Sequence, residues 1–383
     1  MPRRCWITLL CVWLWVGPSQ PLHAGTVPSL EPPSSTFSLL FGGDTYFGEH
    51  EFDAGQSLSG EHILQKYGYR YSLERLLPLL TASNQIILNL ETPILEGTGL
   101  PSSPKVAAGY PVHYGKGGPG ASTLKAAGVT AVSLGNNHTM DEGEEGLVQT
   151  LAALDKAGIG YFGAGRNTME ASRPWHQQVQ VGNKTLDLFV LNAYAYRQAY
   201  DKDFQFYATT STPGVWLLER RAMAQQIHEL RAGHPQAFII IFPHWGWNYA
   251  DKDDVQQRVA RHLIQAGADL ILGHGAHRLQ EIDQFQDRWI LYGLGNLLFN
   301  TRGRFSQTQS LPFSLVARLL IEDRGDALAI RLRLYPIVSD NRLVQYQPRP
   351  VTLTEFHQVK AFLKGAWPEG RDGLGYYLEL SVR

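Results

Sequence analysis

The feature that most constrains this chain is a repeated one: an apolar run of strand length that stops at a cluster of polar residues. Phe37–Phe41 runs into Gly42-Gly-Asp44, Ile86–Leu90 into Glu91, and Ala131–Leu134 into Gly135-Asn-Asn-His138. The later half repeats the arrangement: Ala237–Phe242 precedes His244, Asp269–Leu272 precedes Gly273-His274-Gly-Ala-His277, and Trp289–Leu294 precedes Gly295-Asn296. Runs this uniformly apolar predict strands buried on both faces. Amphipathic segments lie between them. Leu147, Leu151 and Leu154 follow i, i+4, i+7 spacing in 144–157, Val255, Val259 and Leu263 follow i, i+4, i+8 in 253–266, and both segments stop at an Ala-Gly pair. The fold class is therefore α/β. In such sheets ligands bind beyond the carboxyl ends of the strands, which is where the polar clusters fall.

Composition narrows the function classes. The 383 residues carry 34 Lys plus Arg against 35 Asp plus Glu. No stretch gathers basic residues into a stripe that would follow a phosphate backbone, so no nucleic-acid partner is expected. Residues 1–24 read as an export signal, with Arg3-Arg4, an apolar segment from Cys5 to Gly17 and a small-residue cleavage site at Leu22-His23-Ala24. The apolar segment is shorter than the roughly 20 residues of a spanning helix, so membrane association is expected only if it stays uncleaved. The expected location is periplasmic or extracellular. Both cysteines, Cys5 and Cys11, fall inside this segment. The mature chain would then have no thiolate nucleophile and no thiolate metal site.

Residues 25–35 are a Pro/Ser-rich lead-in, 36–300 carry the α/β pattern, and 301–383 are expected to form a β-rich C-terminal extension packed on the same domain. That extension holds strand-like stretches at Phe313–Ile321 and Ala327–Pro336, and a short helix around Thr354–Gly365.

Asp44, Glu91, Asn137, His138, His244, His274 and His277 all stand just after strand-like runs. Carboxylate, imidazole and amide donors without thiolates suit divalent manganese, iron or zinc, and two neighbouring ions need about this many ligands. Such a site would lower the pKa of bound water and offset charge growing on a phosphoryl or carbonyl oxygen. His138 is the candidate to assist the leaving group.

Phe41-Gly-Gly-Asp44, Asn89-Leu-Glu91-Thr-Pro, Ser133-Leu-Gly-Asn-Asn-His138, Asp141-Glu-Gly-Glu-Glu-Gly146, Gly163-Ala-Gly-Arg-Asn167, Phe242-Pro-His-Trp-Gly246, Gly273-His-Gly-Ala-His277 and Gly293-Leu-Gly-Asn296 together resemble the CapA family of poly-γ-glutamate capsule proteins. The likeness spans about residues 37 to 300 and implies a four-layer α/β/β/α sandwich, as in calcineurin-like metallophosphoesterases. It further implies Asp44, Glu91, Asn137, His244, His274 and His277 as ligands of two divalent metal ions (Mn, Fe or Zn), and His138 as the catalytic histidine. The implied activity is that of an exported metal-dependent hydrolase or transferase of capsule biosynthesis. It would act through metal-bound hydroxide on a phosphoester or γ-linked amide. The implied partners are an anionic cell-envelope polymer such as poly-γ-glutamate, and capsule synthase components. The alternative is a non-catalytic polymer-binding or scaffolding module with a degenerate metal site. Asn248 stands where the family usually has an acidic residue, with Asp251, Asp253 and Asp254 as substitutes nearby.

Other motifs carry less. Gly115-Lys-Gly-Gly-Pro-Gly120 fits a dinucleotide-binding pattern but is expected to be a surface loop, and Ser59 stands where a nucleophile elbow at Ser57 requires glycine. Trp245, Trp247 and Tyr249 flank His244 as a candidate substrate platform, and Arg302 and Arg304 are the candidate basic patch for a polyanion.

Overall fold

The apolar runs become the strands of two sheets. The computed structural model describes residues 34–46, 50–52, 63–96, 104–299 and 303–382. The signal and most of the lead-in lie outside them, as do Ser57, Ser59 and Arg302. Along the chain the main strands are β1 (Thr36–Thr45), β2 (Gln85–Leu90), β3 (Ala131–Ser133), β4 (Gly160–Phe162), β5 (Trp175–Val181), β6 (Lys184–Leu191), β7 (Phe238–Ile241), β8 (Leu270–Leu272), β9 (Ile282–Phe285), β10 (Arg288–Leu291), β11 (Asn296–Leu298), β12 (Phe313–Asp323), β13 (Leu328–Val338), β14 (Glu369–Asp372) and β15 (Gly375–Ser381). The principal helices are α1 (Gly117–Ala126), α2 (Gly143–Ala157), α3 (Arg220–Gly233), α4 (Asp254–Gln265) and α5 (Leu353–Leu363).

The first sheet runs β14-β15-β13-β12-β1-β2-β3-β4, with β11 added beside the end of β1, and the second runs β9-β10-β8-β7-β6-β5. The strands that carry the polar clusters are parallel to their neighbours: β1 with β2, β2 with β3, β6 with β7, and β7 with β8. Their carboxyl ends therefore share one edge of each sheet. The strands after residue 303 extend the first sheet, with β12 antiparallel to β1 from Thr36 opposite Glu322 to Phe41 opposite Ala317.

Alternation along each strand explains why whole runs are apolar. Leu39, Phe41 and Ile87 of the first sheet meet Leu188, Val190, Phe238 and Ile240 of the second between the sheets. Leu40, Ile86 and Leu88 face outward onto Leu124 of α1 and Leu147, Leu151 and Leu154 of α2. Phe189, Leu191, Ile239 and Ile241 likewise face Met223 and Ile227 of α3 and Ala260 and Leu263 of α4. Each strand is thus covered on both sides, and the architecture is the four-layer α/β/β/α sandwich that the resemblance implies.

Two local expectations are corrected. Val255 is exposed, because α4 turns Gln256 inward instead. The Gln256 side chain closes a capping box with Asp253 and donates to Gln280. The glycine-rich segment is not a loop: a strand over Val112–Lys116 runs directly into α1. Among the described residues no helix is long and apolar enough to cross a membrane.

Candidate metal centre

The site is assembled from the ends of five strands, beginning with a bulge. The register of β1 against β2 slips between Gly42 and Asp44, which re-aims the Asp44 carboxylate. Gly43 permits the bulge, since a Cβ there would lie 1.9 Å from the Gly295 carbonyl oxygen. Asp44 is fully buried. Its Oδ1 accepts from Asn89 Nδ2 at 3.0 Å, and the Gly275 N–H donates to both carboxylate oxygens at 3.0 Å. Gly275 has a φ of 101°, and a Cβ there would strike the His244 ring at 2.9 Å, so only glycine fits.

Three imidazoles converge on this carboxylate. His274 Nδ1 is 3.3 Å and His244 Nδ1 3.8 Å from Oδ1, and His277 Nδ1 is 3.2 Å from Oδ2. His274 Nε2 faces the Phe242 carbonyl at 3.2 Å and donates to it, which orients the ring so that Nδ1 faces Asp44 and His244 Nδ1, 3.1 Å away. Burial opposes charge on Asp44, but hydrogen bonds from His274 and His277 outweigh it and hold the carboxyl well below its ordinary range. Burial holds His244 well below the ordinary histidine value.

Glu91, directly after β2, is treated differently. It is fully buried and neither oxygen has a hydrogen-bond partner. Burial first, then the Asp44 and Asp141 charges, push its pKa well above the ordinary glutamate value. The imidazole nitrogens of His138, His244 and His277 stand 3.9, 3.8 and 3.7 Å from its Oε1.

The adjacent asparagines divide their work. Asn136 shapes the loop: its amide donates to Asn89 Oδ1 and the Leu90 carbonyl, and its Oδ1 accepts from the backbone N–H groups of His138 and Thr139. Asn137 instead leaves a buried Oδ1 with no partner.

These orphaned oxygens decide the fit to a cation. Asp44, His244 and His274 form one convergent donor group, and Asp44, Glu91 and His277 form a second that shares the same aspartate. Donors about 2.1 Å from a common ion stand roughly 3–4 Å apart, the spacing seen here. The set is oxygen and nitrogen only, as hard or borderline divalent ions prefer. Five of the six residues named from the sequence as ligands make up these two groups, Asn137 lines the cleft in front of them, and His138 lies beside Glu91.

Sequence reasoning missed the support beneath His138. His138 Nδ1 lies 2.6 Å from Asp141 Oδ2, and Lys105, buried, bonds both Asp141 Oδ1 and, at 2.8 Å, the Asn137 carbonyl. His113 stacks on His138 with centroids 3.5 Å apart and donates Nδ1–H to the Glu91 carbonyl at 3.0 Å. Burial, then the charges of His113 and Lys105, hold His138 well below the ordinary histidine value and neutral. Lys105 is pulled down by burial, but Asp141 raises it above the ordinary lysine value. Asp141 was findable, three residues past His138 in a recognised motif. Lys105 and His113 carried no periodic signal.

The aromatic platform is also corrected. Trp245 is buried with Nε1 on the Tyr292 carbonyl at 2.8 Å, and Tyr249 is buried against Phe305. Only Trp247, 59% exposed, faces the cleft. Two of the three acidic substitutes for Asn248 are engaged elsewhere: Asp253 caps α4 and Asp251 pairs with Arg278. The cleft itself encloses about 560 Å³ and is lined by Asn137, His138, His244 and Gly275 on the metal side and by Tyr110, Tyr200, Arg197 and Trp247 on the other. Arg304 is not among its lining residues.

A family model described as bacterial capsule synthesis protein PGA_cap matches residues 38–301. The chain belongs to this family. That span runs from the start of β1 past β11 and includes every residue of the site described above. Among similar proteins, the capsule biosynthesis protein CapA of Bacillus anthracis is 28% identical over 310 residues, 78% of this chain and 68% of that protein. The PGA biosynthesis protein CapA of Bacillus subtilis is 24% identical over 294 residues, 76% of this chain and 70% of that one. Among solved structures, a phosphatase from Mycoplasma pneumoniae aligns with a TM-score of 0.44 at 11% identity, covering 81% of this chain and 96% of that one.

Proposed function

We propose that this PGA_cap protein is an exported, metal-dependent hydrolase or transferase of capsule biosynthesis, acting on a phosphoester or a γ-linked amide of an anionic envelope polymer such as poly-γ-glutamate. The observation that carries the reading is the pair of convergent donor groups sharing Asp44, together with the partnerless buried oxygens of Glu91 and Asn137. An uncompensated buried carboxylate is costly, and a cation is the simplest compensation.

In this reading Asp44, Glu91, Asn137, His244, His274 and His277 hold two divalent ions of manganese, iron or zinc. Bound ions supply Lewis acidity and an activated water. The chain's own residues do the rest. Asp44 is fixed by Asn89 and Gly275. His274 is fixed by the Phe242 carbonyl, which sets its tautomer. His138 keeps its Nδ1–H on Asp141, which leaves the Nε2 lone pair aimed toward Glu91 and the cleft, where it can take up a proton and pass it to the departing atom of the substrate. Asp141, Lys105 and His113 are positioning residues for that imidazole.

Elemental analysis of the purified protein is the deciding experiment. Close to two equivalents of one of these metals, lost in His274→Ala, supports the reading. Protein that stays metal-free after incubation with each ion overturns it and leaves a polymer-binding or scaffolding role in the capsule machinery.

A further inference from the structure

The cleft in front of the metal centre has an uneven charge distribution. Among the described residues its lining includes no carboxylate, and the one permanently charged group on its wall is Arg197. The guanidinium lies over Trp247, with Cζ 4.0 Å from the ring centroid, and one of its NH₂ groups donates to the Gly246 carbonyl. The other makes only a long contact, 3.5 Å, to the Tyr196 carbonyl. Among the described residues no carboxylate pairs with Arg197. This differs from Lys105, whose charge is taken by Asp141.

The position is tied to the metal centre through the backbone. Tyr194 bridges to His244, and Ala195 N–H donates to the His244 carbonyl at 3.0 Å, so the segment that carries Arg197 runs beside the segment that carries His244 and Gly246. The Arg197 backbone is held by the Tyr207 hydroxyl at 2.9 Å. Trp247 stays largely exposed at the mouth of the same cleft. A guanidinium with one face on an indole and one NH₂ group on a carbonyl keeps an in-plane edge for a planar, two-oxygen partner.

We propose that Arg197, laid on Trp247, is a specificity-determining subsite that binds a carboxylate of the substrate beside the reacting bond. The inference rests on the cleft being a substrate site, as proposed above, and adds the chemical class of the group recognised. A polymer with γ-linked amides carries one free carboxylate per unit, which suits a single fixed cation near the site.

The test measures binding of a short γ-linked oligoglutamate to the full chain by titration calorimetry, with and without added manganese. We expect Arg197→Ala to weaken binding by about tenfold or more, the scale of one charge-assisted hydrogen-bonded pair. Arg197→Lys should recover only part of the loss. Arg197→Gln keeps a donor for the Gly246 carbonyl but not the charge, and should bind as weakly as Arg197→Ala. A mere tether between two loops would leave its affinity at the wild-type value and overturn the proposal. The matching γ-linked oligoisoglutamine, in which each α-carboxylate is replaced by a carboxamide, should not distinguish wild type from Arg197→Ala. An oligomer of glycerol phosphate that depends on Arg197 more steeply than oligoglutamate would overturn the carboxylate assignment in favour of phosphate. Wild-type protein that binds no oligoglutamate overturns the subsite as well. The two readings fail separately: metal retained with Arg197-indifferent binding sinks only this one, and Arg197-dependent binding to a protein that takes up no metal sinks only the hydrolase.

Discussion

On the C-terminal strands, Arg331 reaches Glu322 and Glu379, and Arg333 reaches Glu379 and Asp372, with side chains 18–28% exposed. At the strand ends of the metal centre, Asp44 and Glu91 are 0% exposed and His138, His244, His274 and His277 are at most 5% exposed. Both regions gather ionisable groups, yet only the second leaves a carboxyl without a partner. In the first, arginines meet carboxylates across neighbouring strands, and Glu379 stays below its ordinary value because Arg333 and Arg331 outweigh its partial burial. In the second, Glu91 has two orphaned oxygens, and the imidazoles around it are kept neutral or turned toward Asp44. Paired charge near solvent contributes little and costs little. A polar group buried without a partner is costly and persists where something outside the chain completes it. The contrast separates a structural ladder from a functional cluster that composition alone would treat alike.

The sharpest way to break this comparison is Asp44→Ala. It removes the carboxylate common to both donor groups, so metal content and any metal-dependent turnover should fall to background while circular dichroism stays native. Retained metal would show that the cluster is not the site. Next in size is His138→Ala, for which turnover should drop by about 10²–10⁴ with metal content unchanged, the usual contribution of a positioned acid or base. Loss of metal together with turnover would instead make His138 a ligand. Lys105→Met strips Asp141 of its buried counter-charge and should cost about 3–5 kcal/mol in urea unfolding, as for one-sided removal of a buried pair. On the ladder, Arg333→Ala should cost about 1 kcal/mol or less, since its pairs are partly hydrated. A loss there as large as that of Lys105→Met would erase the distinction.

The smallest effect sharpens the comparison through pH. Glu355 is held by a two-pronged pair with Arg349, each bond 2.8 Å, and accepts the Thr352 N–H at 2.7 Å in the capping box of α5. The Arg349 bonds outweigh its partial burial and lower its pKa to about 2. A carboxyl whose folded value is depressed stabilises above its unfolded value of about 4.3 and loses that contribution as pH falls through the folded one. The stability gap between wild type and Glu355→Gln should therefore be present at pH 7, about 1 kcal/mol after allowance for screening. It should close between pH 4 and about 2 in urea titrations. A gap independent of pH would mean that the pair contributes through packing rather than charge.

What the sequence determined by itself was local. Apolar runs at strand length, helices at i, i+4, i+7 spacing and polar residues directly after each run are properties of neighbouring residues, so the α/β class and the places of Asp44, Glu91, Asn137, His138, His244, His274 and His277 were legible without coordinates. The family resemblance added the sandwich. Tertiary structure decided what depends on long-range approach. Asn136 and Asn137 are adjacent and chemically identical, and only the fold sends one into the loop and leaves the other's oxygen open in the site. Trp245 and Trp247 differ by two positions, and only packing buries the first beneath Tyr292 and sets the second under Arg197. Lys105 and His113 lie in a segment without periodicity. Their roles arise because chain closure brings them against Asp141 and His138, 36 and 25 residues on. Periodicity records which side of an element is buried. Which two distant side chains then meet is set by the register of strands and the docking of helices, and those follow from the packing of the whole core.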